Sequence, residues 1–207
     1  MERDLEVLAE AGSAVTGAVC RTHGWSGPTL TYGHAQRVPE ELCEDAEHLQ
    51  VQTVRRPTGG GWLLHLAGDL AVSLALAGPL RPGDFRSAAS WLGEMIAEAC
   101  RRLGAEAMVS RTEVLPPRRA EICFARTDKN EIAVDGVKIA GIALARIRGG
   151  VLAQAAIPLV RATPSVEAFE KRWDPSRSDA VRVLQGIEAA NLAATLAEAM
   201  KAKSSDR

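Results

Sequence analysis

The chain has 207 residues, 46% of them hydrophobic and 25% charged, with a net charge of −1. That length suits one good-sized domain of ordinary globular composition. Near-neutral charge and 4% aromatic content argue against a nucleic-acid partner or a charged membrane surface, which call for excess cations or stacking rings.

No apolar run reaches the roughly 18 residues of a membrane span. The opening MERDLEVLAEAG mixes charges of both signs and has no signal-type apolar core, so a cytoplasmic protein is expected. The four cysteines, Cys20, Cys43, Cys100 and Cys123, show no C-x-x-C pair and no zinc spacing. Reduced thiols suit that compartment, and one of them is open to a nucleophilic role.

In chain order, residues 4–20 read as a short helix weakened by Gly12 and Gly17. Residues 28–32 read as a short strand between Gly and Pro breakers. A helix should follow, with Pro39 in its first turn and Glu40 and Glu41 at its positive end. Residues 49–54 alternate like a strand and run into Arg55-Arg56-Pro57-Thr58-Gly59-Gly60-Gly61. Bare glycines let backbone N–H groups approach a phosphate or carboxylate, and two preceding arginines favour such an anion. The alternative is a flexible loop tip. Neither a Walker loop nor a Rossmann turn is present.

Residues 62–66 and 69–77 read as buried strands. His65, among leucines, is either a satisfied core residue or a ligand contact. Residues 85–103 form the clearest helix, with Phe85, Ala88, Leu92, Ile96, Ala99 and Leu103 at helical spacing and Gly104 as its stop. Residues 106–110 should be a strand, and Pro116-Pro117-Arg118-Arg119 breaks into a basic loop.

The stretch EIAVDGVKIAG, residues 131–141, is a hairpin with a type I′ turn at Asp135-Gly136. Pairing Val134 with Val137 puts Ile132, Val134, Val137 and Ile139 on one face and Glu131, Ala133, Lys138 and Ala140 on the other. Lys138 is then the only large group in the middle of its face. It is either the charged wall of a ligand-binding site or an exposed lysine on a solvated sheet. Residues 137–147 and 151–160 form a second strand pair around Gly149-Gly150. Pro164 ends the sheet, residues 179–186 and 188–203 are helical, and the tail is disordered.

Three stretches agree with one family. WSGPTLTYGHAQ is similar to W-x-x-P-x-x-T-x-G-x-x-Q, and RRPTGGGWLLHLAGDLAVSLAL to R-R-x-[ST]-G-G-G-x-x-x-H with its following strand. CFARTDKNEIAVDGVKIAG is similar to a C-F segment followed by hydrophobic-x-x-G-x-K-x-[AS]-G. In that order, over roughly residues 20–200, they resemble the lipoate–protein ligase and octanoyltransferase family, whose catalytic domain is shared with biotin protein ligases. The resemblance implies an α/β chain of the α+β kind, a mixed, largely antiparallel sheet packed with helices. It implies one catalytic domain over 1–203 with a disordered tail at 204–207.

It also implies that Arg55, Arg56, Thr58, Gly59, Gly60, Gly61 and His65, with Ala140 and Gly141, line the pocket for the acyl chain and, in ligases, the adenylate. Lys138 would be the family's essential lysine, beside the acyl carbonyl. Lys138→Ala is therefore expected to abolish transfer and leave the fold intact. Two chemistries share the scaffold. A ligase activates lipoate or octanoate with ATP and magnesium, and Asn130-Glu131 resemble the Asn-Asp pair whose carboxylate helps hold that metal. A transferase needs no ATP. It takes the acyl group onto a cysteine, for which Cys123 is the match, and then onto a lysine of a lipoyl carrier domain. The alternative for Cys123 is a small buried hydrophobe. The implied partners are the carrier domain of a 2-oxoacid dehydrogenase E2 or the glycine cleavage H protein, and acyl carrier protein as donor.

The chain departs from the pattern at Leu66, Ile142, Leu144 and the run Ala153-Gln154-Ala155-Ala156, each change removing a hydrogen-bonding group from the expected pocket. These leave the acyl group open. KNEI and KIAGIA resemble biotin ligase motifs, whereas RRPTGGG does not fit that enzyme's G-R-G-R-x-x-R. A non-catalytic homologue that binds lipoyl domains or acyl ligands is the reading from a different class.

Overall fold

The computed structural model describes residues 17–77, 84–111, 129–147, 150–173, 184 and 186–205. The expected loop at 116–119, the lead-in at 121–124 with Cys123, and most of the expected helix 179–186 lie outside them. Leu184 and Gly186, the described part of that helix, are not helical.

Among the described residues, two sheets form the framework. The larger runs β1 (Gly17–Gly24), β5 (Leu70–Ala77), β9 (Gly150–Ile157), β8 (Val137–Ile147), β7 (Ile132–Val134) and β6 (Ala107–Val109) in that spatial order, every neighbouring pair antiparallel. The smaller has β2 (Thr29–Tyr32) at its centre, parallel to β3 (Gln52–Arg55) and antiparallel to β4 (Leu63–His65). Among the described residues the helices are α1 (Glu40–His48), α2 (Asp84–Arg102), α3 (Pro164–Trp173) and α4 (Ala189–Ser205). This is the mixed, largely antiparallel α+β architecture expected.

Each sheet has its own core. On the large sheet Leu70, Val72 and Leu74 face α2 and α4, in register with Ile157, Ala155 and Ala153 of β9. The α2 residues Ala88, Leu92, Ile96 and Ala99 are fully buried against them, as the helical spacing requires. Burial of each large side chain is worth about 1.5–3 kcal/mol. Gly104, at φ +90, stops α2: its N–H donates to the Arg101 carbonyl and the Ala105 N–H to that of Cys100. The small sheet packs Leu30 and Trp62 against α1 and α3, with the Trp62 and Phe169 rings edge to face at 6.4 Å.

Three expectations change. Residues 17–20, assigned to a helix, begin β1, which pairs with β5 along its whole length. A short apolar run has no decisive period, and long-range pairing settles it. Pro164 does more than end the sheet. It opens α3, where its fixed φ and missing N–H are harmless. The spacing of Val166, Phe169 and Glu170, all buried, marks that helix. Finally, α4 continues through Ser204 and Ser205 of the expected tail. No helix among the described residues is long and apolar enough to cross a membrane.

Candidate functional site

The glycine run forms an arch that bridges the two sheets. It leaves β3 beside β2, with the Arg56 N–H on the Tyr32 carbonyl at 2.8 Å and the His34 N–H on the Thr58 carbonyl at 2.9 Å. Gly33 makes this possible: a Cβ there would stand 2.1 Å from the Gly60 carbonyl oxygen. Gly60 itself has φ +93, a conformation glycine tolerates. Across the gap, the Gly59 N–H donates to the Leu144 carbonyl of β8 at 3.2 Å. The fully buried Thr58 hydroxyl donates to Gln154 Oε1 of β9 at 2.8 Å.

The two arginines have different surroundings. Arg56 is buried and braces the arch from within, donating to the Gly61 carbonyl at 2.7 Å, the Gly59 carbonyl at 3.1 Å and Thr31 Oγ1 at 2.8 Å. Arg55 is exposed, its guanidinium 5.3 Å above the Tyr32 ring. His65 is buried, with Nε2 2.9 Å from Thr31 Oγ1 and its ring stacked on Trp25 at 4.0 Å. Burial first, then the Arg56 and His23 charges, push its pKa down to about 3, so the ring is neutral. Arg56 can only donate to Thr31, so the Thr31 hydroxyl accepts that bond and joins the guanidinium to the His65 ring.

Lys138 is buried, 5% exposed, which removes the solvated-lysine alternative. The turn is as expected, with Asp135 at φ 49, Gly136 at φ 76 and Val134 paired with Val137. Beyond it the register shifts. Ala133 pairs with Lys138, but Ile132 pairs with Ala140, leaving Ile139 as the extra residue of a β-bulge. Ile139 and Ala140 both pack into the main core. Lys138 and Gly141 therefore share the opposite face, and Ala140, expected beside the lysine, is turned away from it. The ammonium lies 2.7 Å from Glu131 Oε1, and that carboxylate is equally buried. Glu131 thus faces the same side as Lys138, as the hairpin pattern predicts.

The face carrying Lys138 is floored by small residues. Register places Gly141, Ala156, Ala71 and His23 in one row across β8, β9, β5 and β1, and Ala143, Gln154 and Ser73 in the next. Three strand spacings, about 14 Å, separate the ends of the first row. His23 closes one end, 5.5 Å from the Trp25 ring. The Thr58–Gln154 bond sets the arch over the second row. Gln154, Thr31, Gly33 and Trp25 were not assigned site roles from sequence. Gln154 carried a signal, a lone polar residue among alanines on a buried strand.

Cys123 lies outside the described residues. Cys20, Cys43 and Cys100 are free thiols. Burial raises Cys20 and Cys100 to about 11, and Cys43 is raised by burial and Glu40. None of these three favours the thiolate that nucleophilic attack needs.

Residues 3–204 match the lipoyl protein ligase A/B catalytic domain. The chain belongs to that family. It is 35% identical over 148 residues to the octanoyltransferase LipM of Halalkalibacterium halodurans, an alignment covering 67% of this chain and 53% of that protein. The chain thus spans about half the length of the curated relatives it matches. A lipoate-protein ligase A bound with ATP has the same fold, with TM-score 0.74 and 21% identity over 98% of this chain and 80% of that one. So has a bi-partite lipoate protein ligase from Thermoplasma acidophilum, studied with its E2 lipoyl domain, at 0.65 and 19% over 97% and 78%. The described parts of the three motifs lie on β2 with the turn after it, on the arch with β4, and on the hairpin.

Proposed function

We propose that the chain transfers an octanoyl or lipoyl group to one lysine of a lipoyl carrier domain, and that it does so as an octanoyltransferase. The observation that carries this reading is the buried ammonium of Lys138 on a face floored by Gly141, Ala143 and Ala156. An apolar chain fits such a floor, and a fixed cation at its end stabilises the oxyanion formed when a thioester carbonyl is attacked. Relatives at 35% identity are named octanoyltransferases, which favours the transferase branch.

In this reading Cys123 is the nucleophile, by its match to the family's C-F segment. Its thiolate attacks the octanoyl thioester of acyl carrier protein, forming a new thioester as the donor thiol leaves and takes up a proton. The target lysine amine then attacks that thioester. An amide forms, the C–S bond breaks, and the amine proton returns to the Cys123 sulfur. The arch and the Thr58–Gln154 bond hold the acyl chain in place for both attacks. The carrier is the lipoyl domain of a 2-oxoacid dehydrogenase E2 or the glycine cleavage H protein. Reduced thiols suit a cytoplasmic setting for this cycle.

The test is the mass of an apo lipoyl domain incubated with this chain and either octanoyl acyl carrier protein, or octanoate or lipoate with ATP. A gain from the carrier-bound donor alone, lost in Cys123→Ser, is expected. A gain only with ATP identifies a ligase. No gain under either condition replaces the enzyme with a binding protein.

A further inference from the structure

We propose that Glu131 is a positioning residue that holds the Lys138 ammonium over the acyl site, and that it is not a magnesium ligand. The inference rests on the acyl-transfer reading above and assigns one more residue to that site.

Glu131 is held from three sides. The Ser110 N–H donates to its carbonyl at 2.8 Å, and the Asn130 N–H donates to the Ser110 carbonyl at 2.8 Å, which ties the segment to the chain following β6. Asn130 takes φ 71, a left-handed conformation that asparagine tolerates better than most residues. Behind it, Gly93 of α2 packs so closely that a Cβ there would stand 2.5 Å from the Asn130 carbonyl oxygen. The backbone that carries Glu131 is therefore fixed and its side chain is buried, while the lysine it meets has a flexible four-carbon stem. A buried ammonium needs a fixed counter-charge to stay both ionised and aimed. The 2.7 Å contact supplies it. The bulge at Ile139 lies just beyond the lysine: it turns Ala140 into the core beside Ile139 and brings Gly141 onto the lysine's face, so the strand that carries Lys138 is anchored next to it.

Magnesium does not fit the same carboxylate. The ion requires near-octahedral oxygen ligands at about 2.0–2.1 Å. An ammonium 2.7 Å from Glu131 Oε1 competes with a metal ion for this carboxylate and stands where other ligands would gather. Among the described residues, no three His, Cys, Asp or Glu side chains come together to hold a metal. The aspartate expected from the ligase pattern is replaced by the longer glutamate, whose extra methylene reaches the lysine.

The experiment uses the full chain with octanoyl acyl carrier protein and apo lipoyl domain, comparing wild type, Glu131→Gln, Glu131→Asp and Glu131→Ala. Glu131→Gln keeps an acceptor for the ammonium and removes the charge. It is expected to fold, with an unchanged far-ultraviolet spectrum, and to lower kcat at least tenfold while KM for the lipoyl domain stays within threefold. Glu131→Asp should recover part of the kcat lost in Glu131→Ala. Wild-type turnover should be unchanged in excess EDTA, and calorimetric titration with magnesium chloride should give no heat that depends on Glu131. A folded Glu131→Gln with wild-type kcat overturns the positioning role. Turnover that stops in EDTA and returns with magnesium, or magnesium heat lost in Glu131→Gln, overturns the exclusion of the metal. A wild-type chain that transfers nothing from any donor overturns the acyl-transfer reading, and this inference with it.

Discussion

His65 is neutral in the folded chain because burial, Arg56 and His23 hold its pKa near about 3. In the unfolded chain its pKa returns to about 6.5. Between those values the unfolded state binds a proton that the native state does not, so stability rises with pH across the window and is lost as pH falls through it. Replacing His65 by glutamine, which cannot take that proton, should shrink the loss of unfolding free energy between pH 7 and pH 5 by about 2 kcal/mol. Urea titrations at the two pH values measure it, and an unchanged slope in the variant sinks the assignment. The Lys138–Glu131 pair calls for a different revision. Sequence placed the lysine on a pocket face, and from that alone Lys138→Ala leaves the fold intact. A counter-charge that is 5% exposed changes the outcome. Removing the lysine strands a buried carboxylate, so Lys138→Ala should cost about 3–5 kcal/mol as well as abolishing transfer. Adding Glu131→Gln to it should restore much of the stability and none of the activity. A double variant no more stable than the single one denies the coupling.

At the scale of elements, the arch and the hairpin were legible for opposite reasons. Arg55 to Gly61 announced itself by composition, yet its contacts did not. The bond from Thr58 to Gln154 joins residues 96 apart in sequence, and no local pattern encodes that. Arg56, expected to meet a ligand's anion, also donates to the carbonyls of Gly59 and Gly61, a bracing role that composition does not announce. The hairpin turn was readable to the residue, but a strict two-residue period cannot express an inserted residue. The adjacent apolar pair Ile139-Ala140 was the trace of the bulge. The arch leads to a prediction about Gly33. An alanine Cβ there meets backbone, 2.1 Å from the Gly60 oxygen and 2.9 Å from the Gly59 carbonyl carbon, and backbone cannot swing aside as a side chain does. Gly33→Ala should shift the arch off β2, weaken the Thr58–Gln154 bridge, and lower kcat/KM for octanoyl transfer at least tenfold, with about 1–3 kcal/mol of stability lost. Gly27→Ala is the control, since nothing lies within 4 Å of its added Cβ. Equal activity in the two variants would show that the arch does not need its close seat.

For the whole molecule, the question is what keeps two separately cored sheets in one arrangement. Long periodic elements such as α2 were legible because their pattern repeats over many turns. β1 and α3 were not, because β1 owes its conformation to β5, and α3 to the small sheet it covers. Among the described residues the chain crosses between the sheets from β1 to β2, at the turn from β4 to β5, and again after β9 on the way to α3. Asp69 sits where the last two of these meet. It is 3% exposed, with Oδ2 accepting the Leu66 N–H at 2.8 Å and Oδ1 accepting those of Leu159 at 2.8 Å and Val160 at 3.1 Å. One carboxylate therefore ties the turn entering the large sheet to the segment leaving it. Asp69→Ala would orphan three backbone donors at once, and each lost bond to a charged group is worth about 1.5–3 kcal/mol. Some of that returns as water reaches the loosened turn, so the expected loss is about 3 kcal/mol or more. Asp69→Asn, which keeps one acceptor oxygen, should lose less. Urea unfolding should show a lower midpoint with an unchanged m value, since the same surface is exposed in all three proteins. Because the proposed acyl site draws on both sheets, the proposed octanoyl transfer should fall in Asp69→Ala at temperatures well below its melting point, although Asp69 is not part of the Lys138–Glu131 pair or the arch. An Asp69→Ala protein within 0.5 kcal/mol of wild type would mean that the sheets are held together elsewhere, with the arch itself as the main bridge.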